Sequence, residues 1–246
     1  MITFNKKGNN PLYAMQFFFT GLAWLGKAPL RPFLLIPILI NIVLYSIAFV
    51  LGYLYLTPLV AQLIPAWLHW LSWLLTPLFF LCFAVLGFFT FTLFANLIAA
   101  PFYGKLAEKT HALILETQPT DDHTPVIAQP HWSKVMLGEL QRLAYLIKWM
   151  VLLTVLSFIP VINLFAPLLW AAFGAWGCAL EFFAYPLENK GLLFQEQRSL
   201  IKTVQFGAVS FGGMVMFSLS LPVFNLVVAP AAVIAATLYT HALGKS

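Results

Sequence analysis

Long apolar stretches alternate with short basic clusters along this chain. All 13 Lys and Arg residues fall in those clusters: Lys6 and Lys7, Lys27 and Arg31, Lys105 and Lys109, Lys134 to Lys148, Lys190 to Lys202, and Lys245. Residues 32–104 carry no charge of either sign, 149–189 carry only Glu181 and Glu188, and 203–244 carry none. Apolar stretches of this length need lipid as their solvent, and the basic residues that bound them mark the cytoplasmic side. The chain therefore enters the membrane from the cytoplasmic face and returns to it three times. Both termini and the region 105–148 are expected on that face.

The pattern predicts an element for each stretch within one membrane domain, 1–246. Residues 11–27, rich in Phe and Trp, read as an interfacial helix that ends at Lys27. Long membrane helices are expected over 30–56 and 70–115. The first opens with Pro29 and Pro32, which a first helical turn tolerates. Its apolar part, 33–56, reaches about 36 Å as helix, enough to cross with some tilt. Between the two long helices, Pro58, Pro65 and a Trp67, Trp70, Trp73 cluster read as a far-side turn. Residues 116–133, with Asp121, Asp122 and three prolines, read as a water-exposed cytoplasmic loop.

Two hairpins follow, over 134–186 and 195–243. After Lys148 the first turns at Pro160. Its ascending arm covers only about 16 Å as helix, roughly half the hydrocarbon core, so this hairpin reads as re-entrant. Such a tip has to be covered by protein or line an aqueous cavity. The second hairpin turns at Pro222, with arms of about 27 Å; these arms are long enough for a full crossing, and partial penetration is favoured by analogy with the first. The hairpins share a repeat, Ile159-Pro-Val-Ile-Asn-Leu164 and Leu221-Pro-Val-Phe-Asn-Leu226, and Asn96 to Pro101 repeats the spacing of Asn225 to Pro230. Proline frees carbonyls at these turns and asparagine supplies an amide to satisfy them. The same amides also suit a polar route between helices.

Composition agrees with this reading. The chain is 61% hydrophobic and 9% charged, where a soluble domain carries about 25% charged residues. The formal charge of +5 reads as loop bias and not as nucleic-acid binding. Cys82 and Cys178 lie inside apolar segments and have neither disulfide context nor metal spacing. Met1 to Gly8 is too polar for a cleaved signal peptide.

No catalytic constellation, metal site or cofactor motif stands out. The five histidines are scattered, and there is no phosphate loop and no carboxylate pair in an apolar segment. Glu181 is an acid in an otherwise apolar stretch, which marks either function or an interfacial position near Pro186. The segment Lys27 to Phe33 (KAPLRPF) is more informative. Two cations meet the start of a long helix, where free N–H groups and the dipole favour anions. Arg31 adds a planar donor fork suited to a tetrahedral oxyanion. The competing reading is that Lys27 and Arg31 only anchor topology.

Several blocks in order along the chain carry a resemblance. They are RPFLLIPILIN (31–41), ANLIAAPFYGKLAEK (95–109), Glu139 and Arg142 with Ala144 and Tyr145, FIPVINLFAPLLWAAFGAW (158–176), VQFGA (204–208) and PVFNL (222–226). Together they resemble the CysZ-type sulfate permeases of bacteria. The resemblance implies an all-α integral membrane protein with two long transmembrane helices and two hemi-penetrating helical hairpins, assembled as a homo-oligomer in the lipid bilayer of the inner membrane. It implies sulfate uptake for cysteine biosynthesis without ATP hydrolysis by this chain, with sulfite a competing oxyanion.

The family's sulfate motif, Gly-Leu/Ile-Arg-Arg, falls on Pro29, Leu30, Arg31 and Pro32. Leu30 and Arg31 match; Pro29 and Pro32 depart from the motif, removing N–H donors and one charge. Sulfate binding is therefore expected at Leu30, Arg31 and Lys27. The pathway residues expected are Asn41, Glu108, Arg142, Lys148, Asn163 and Asn225, with Arg142 or Lys148 also able to supply the missing charge. Two rivals from other classes are a non-transporting membrane scaffold or assembly protein and a membrane-embedded lipid enzyme. The latter predicts a polar cluster within the apolar spans.

Overall fold

The computed structural model describes residues 4–33, 70–117, 132–221 and 225–244, with isolated positions between 35 and 62. The described residues are helical and contain no strand. The helices are α1 (Pro11–Trp24), α2 (Ser72–Thr117), α3 (Trp132–Ser157), α4 (Ala166–Glu188), α5 (Phe194–Lys202), α6 (Gln205–Leu219) and α7 (Asn225–Gly244). A 3-10 turn at Lys6–Asn9 precedes α1, and a short helical turn at Pro160–Asn163 joins α3 to α4. This is an all-α membrane protein. Among the described residues, three helices are long and apolar enough to cross a bilayer: Met136–Ser157 of α3, α4, and Val227–Gly244 of α7. The pair α5 and α6, bent by 106°, makes a fourth if it counts as one span.

The chain divides into two compact units, 35–102 and the combination of 1–34 with 103–246. In the first, Leu35, Leu39, Val43, Ile47 and Val50 are helical and exposed. Their spacing puts them on one stripe, the pattern of a lipid-facing surface. Helix α2 runs through the division, and its 46 residues are about twice the ~20 that the hydrocarbon core requires.

The second unit has its core around α7, where every residue from Pro230 to Thr237 is buried. Without a hydrophobic effect between helices in lipid, close packing depends on small side chains. Ala231 and Ala235 present that surface to Gly21 of α1, where a Cβ would fall 2.5 Å from the Ala231 carbonyl oxygen. Gly212 of α6 meets α4 in the same way, with a Cβ there 2.0 Å from the Ala175 carbonyl oxygen. Aromatic rings fill the wider gaps. Tyr239 packs against Phe17 at 5.1 Å and Phe183 at 5.5 Å between centroids. Its hydroxyl donates to the Gly8 carbonyl. Asn5 N–H donates to the Leu243 carbonyl at 3.1 Å, and Asn9 Oδ1 accepts from Phe206 N–H at 2.8 Å, capping α6. The N-terminal turn is thus tied to the last two helices.

The first hairpin consists of α3 and α4. It is held by Trp170 Nε1 donating to Ser157 Oγ at 3.3 Å and Trp176 Nε1 donating to Tyr145 Oη at 3.2 Å. Its tip exposes Phe158, Val161, Leu164 and Leu168. The second hairpin differs from a simple two-armed reading. Residues 194–202 form the separate helix α5, and the ascending arm α6 has only 15 residues, about 22 Å. Helix α4 is followed by a turn to Gly191, whose φ of 76° is left-handed and favours glycine. Leu192 N–H then reaches back to the Leu187 carbonyl at 3.1 Å, which closes the helix end and sets the direction of α5.

Candidate functional site

The KAPLRPF segment begins where α1 stops. Leu30 is fully buried in the core, and its side chain pins the turn to the protein. Lys27 N–H donates to the Trp24 carbonyl at 2.9 Å, and the Lys27 carbonyl accepts from both Leu30 N–H at 3.0 Å and Arg31 N–H at 3.3 Å. Both main-chain donors at the matching motif positions are therefore already used. Pro29 and Pro32 have none to offer. What this turn presents to an anion is side-chain charge.

Arg31 is exposed, and its Nε donates to the Gly26 carbonyl at 2.9 Å. That bond folds the side chain back over the turn, and its two terminal nitrogens have no partner among the described residues. Lys27 Nζ sits 3.0 Å from the centroid of the Trp24 ring, so cation–π attraction holds it. The structure therefore brings two of the expected sulfate-binding side chains, Lys27 and Arg31, onto one exposed turn. The third, Leu30, serves as the anchor beneath them.

The expected pathway residues are dispersed. Arg142 of α3 pairs with Glu139, one turn earlier, at 2.5 Å, and not with Glu108, which is exposed on α2. Gly138, Glu139, Arg142, Glu188, Leu193 and Gln197 line a small cavity of about 10 Å³, the room of roughly one water. Two carboxylates and one guanidinium border it, so Arg142 already has its counter-charge. That composition suits a buried polar contact between helices and does not suit sulfate. Gln197 helps to build it by donating through Nε2 to the Leu192 carbonyl at 2.9 Å. Lys148 is exposed on α3, and Asn163 is exposed at the tip of the first hairpin. Asn41 and the Asn225 side chain lie outside the described residues. Glu181 is exposed on α4.

Glu188 and Gln197 were not legible as neighbours of Arg142 around this cavity. They lie far along the chain: the α3–α4 hairpin returns Glu188 to α3, and the Gly191 turn then brings in Gln197 on α5. A carboxylate at the end of an apolar helix, followed by glycine and a short amphipathic helix, is the signal that was present.

The chain matches the family described as sulfate transporter CysZ/etoposide-induced protein 2.4 over residues 17–230. It belongs to this family. A sulfate transporter CysZ of Pseudomonas syringae pv. tomato is 38% identical over 232 residues, covering 91% of this chain and 90% of that protein. The sulfate transporter CysZ of Pseudomonas fluorescens is 37% identical over 230 residues, covering 91% of each. That of Pectobacterium atrosepticum is 35% identical over 227 residues, covering 91% of this chain and 82% of that protein. The alignments with these CysZ proteins thus each cover about nine tenths of the chain.

Proposed function

We propose that this chain is a sulfate permease of the bacterial inner membrane, taking up sulfate for cysteine biosynthesis without hydrolysing ATP itself. The similarity to proteins named sulfate transporter CysZ supports the substrate. The observation that carries the reading is the exposed turn with Arg31 and Lys27. A guanidinium fixed through Nε with its outer edge open is shaped for a tetrahedral dianion. Here it works without the main-chain donors of a helix start, so side-chain charge dominates the site.

The chain has both termini and 105–148 in the cytoplasm, following the basic clusters. Its hairpins penetrate part of the bilayer. The 15-residue α6 supports this, since about 22 Å falls short of a core of about 30 Å. It acts as a homo-oligomer, in which copies cover the exposed apolar tip at Phe158, Val161, Leu164 and Leu168. Sulfite competes as an oxyanion of similar shape.

The test is uptake of radiolabelled sulfate by the purified protein in liposomes, with and without a proton gradient. Wild type is expected to accumulate or equilibrate label faster than empty liposomes, and excess sulfite is expected to slow it. Wild-type protein that inserts normally and passes no sulfate in either condition returns the chain to a scaffold role.

A further inference from the structure

A second basic site lies between α3 and α5, on the other side of Phe194 from the Arg142 cavity. It is an open cleft of about 570 Å³, lined by Gln141 and Tyr145 of α3 and by Gln195, Arg198, Ser199 and Lys202 of α5. The helix spacing explains this convergence. Gln195, Arg198 and Lys202 recur every three or four residues, so they share one face, as do Gln141 and Tyr145.

The cleft holds its charge ready. Arg198 Cζ lies 4.6 Å from the Tyr145 ring centroid. Tyr145 is itself fixed by Trp176, which donates to its hydroxyl at 3.2 Å, and by Phe194, whose ring is 5.8 Å away. The guanidinium is thus positioned by stacking, which leaves its N–H edge for a ligand. No carboxylate among the described residues lines this cleft. Glu196, the acid on the same helix, accepts from Leu193 N–H at 3.0 Å. Glu139 and Glu188 border the small cavity instead. Two cations with hydroxyl and amide donors around them select an oxyanion.

The surroundings indicate the source of that oxyanion. The α3 stripe through Gln141 and Tyr145 continues to Lys148, then to Leu152 and Val155, and these last two are exposed and apolar. A cationic, hydrogen-bonding cleft above an exposed apolar stripe matches a phosphate with acyl chains attached. Trp149, exposed and 6.4 Å from Tyr145 between ring centroids, adds an aromatic side chain of the kind that sits at headgroup level. We propose that this cleft binds the phosphate of an anionic phospholipid, separately from the sulfate site at Arg31.

The experiment is a titration of headgroup-labelled phosphatidylglycerol into full-length protein in neutral detergent. Each cation is expected to contribute about fivefold, so Lys202→Gln weakens binding about fivefold and Arg198→Gln with Lys202→Gln about 25-fold. Unlabelled phosphatidylcholine and excess sulfate are expected to leave the label in place, and sulfate binding at Arg31 is expected to be unchanged in both variants. Lys202 is exposed, so its variant keeps the test valid if the double variant unfolds. Displacement by sulfate or inorganic phosphate overturns the lipid assignment in favour of a soluble oxyanion. Wild-type affinity for phosphatidylglycerol in the Lys202 variant and in a folded double variant overturns the site itself.

Discussion

Arg31 Nε donates to the Gly26 carbonyl at 2.9 Å, so the guanidinium closes the turn that it also arms. Arg31→Ala removes this brace and, under the proposed function, the anion contact as well. It is expected to weaken sulfate binding about 10- to 150-fold, the range for losing a charge-assisted contact. Arg31→Lys keeps the charge without the fork and is expected to fall between the two. Equilibrium binding and liposome uptake measure this, with membrane abundance checked in the same cells. An Arg31→Ala protein that inserts, binds and transports like wild type places the site elsewhere.

Arg142 serves as the contrast. Its charge is matched by Glu139 at 2.5 Å, so Arg142→Gln is expected to lower thermal stability, by about 1–3 kcal/mol, with little change in sulfate affinity among folded molecules. Adding Glu139→Gln is expected to restore part of that loss, because the stranded carboxylate is then neutral. A large fall in sulfate affinity without a fall in stability would give Arg142 a direct role.

Gly212 and Gly213 are neighbours with opposite expectations. A Cβ at 212 meets the Ala175 carbonyl oxygen at 2.0 Å, whereas one at 213 lies 3.6 Å from Ala175 Cβ. Gly212→Ala forces α6 off α4 and is expected to cost at least about 1–3 kcal/mol. Gly213→Ala fits and is expected to be neutral or to add up to about 1 kcal/mol through helix propensity. Thermal unfolding in one detergent separates them, and a Gly212→Ala protein as stable as wild type contradicts this packing.

The hairpin tip offers a test of depth. A cysteine at Ile162, in a background lacking Cys82 and Cys178, is expected to resist membrane-impermeant thiol reagents from the periplasm. Rapid labelling from that side means that the hairpin crosses completely.

Much of the fold was legible because charge and proline are strong local signals. The gap from Lys148 to Glu181 framed the first hairpin, and Pro160 marked its turn. The 106° bend between α5 and α6 was less visible. No glycine or proline stands at Thr203 and Val204, and the amphipathic pattern of 194–202 runs straight into an apolar one. Part of the candidate site's geometry was legible too, since Lys27 and Arg31 do share a turn. The burial of Leu30 was not, because a motif gives residue types and not the direction each side chain takes. Arg142 found its partner within one helical turn, where spacing can be read. The place of Gln197 around the same cavity follows a left-handed glycine almost fifty residues later.

The tie between the N-terminal turn and the last helix also has a consequence in time. Asn5 and Gly8 are made more than 230 residues before their partners Leu243 and Tyr239. Ala14, Phe18 and Gly21 of α1 are buried, and α7 supplies much of what covers that face. During synthesis this face has to wait, held in the interface or by the insertion machinery, until α7 has emerged. A chain interrupted before Asn225 leaves it bare. Loss of α7 therefore becomes a defect at α1, exposed for quality-control proteases to find.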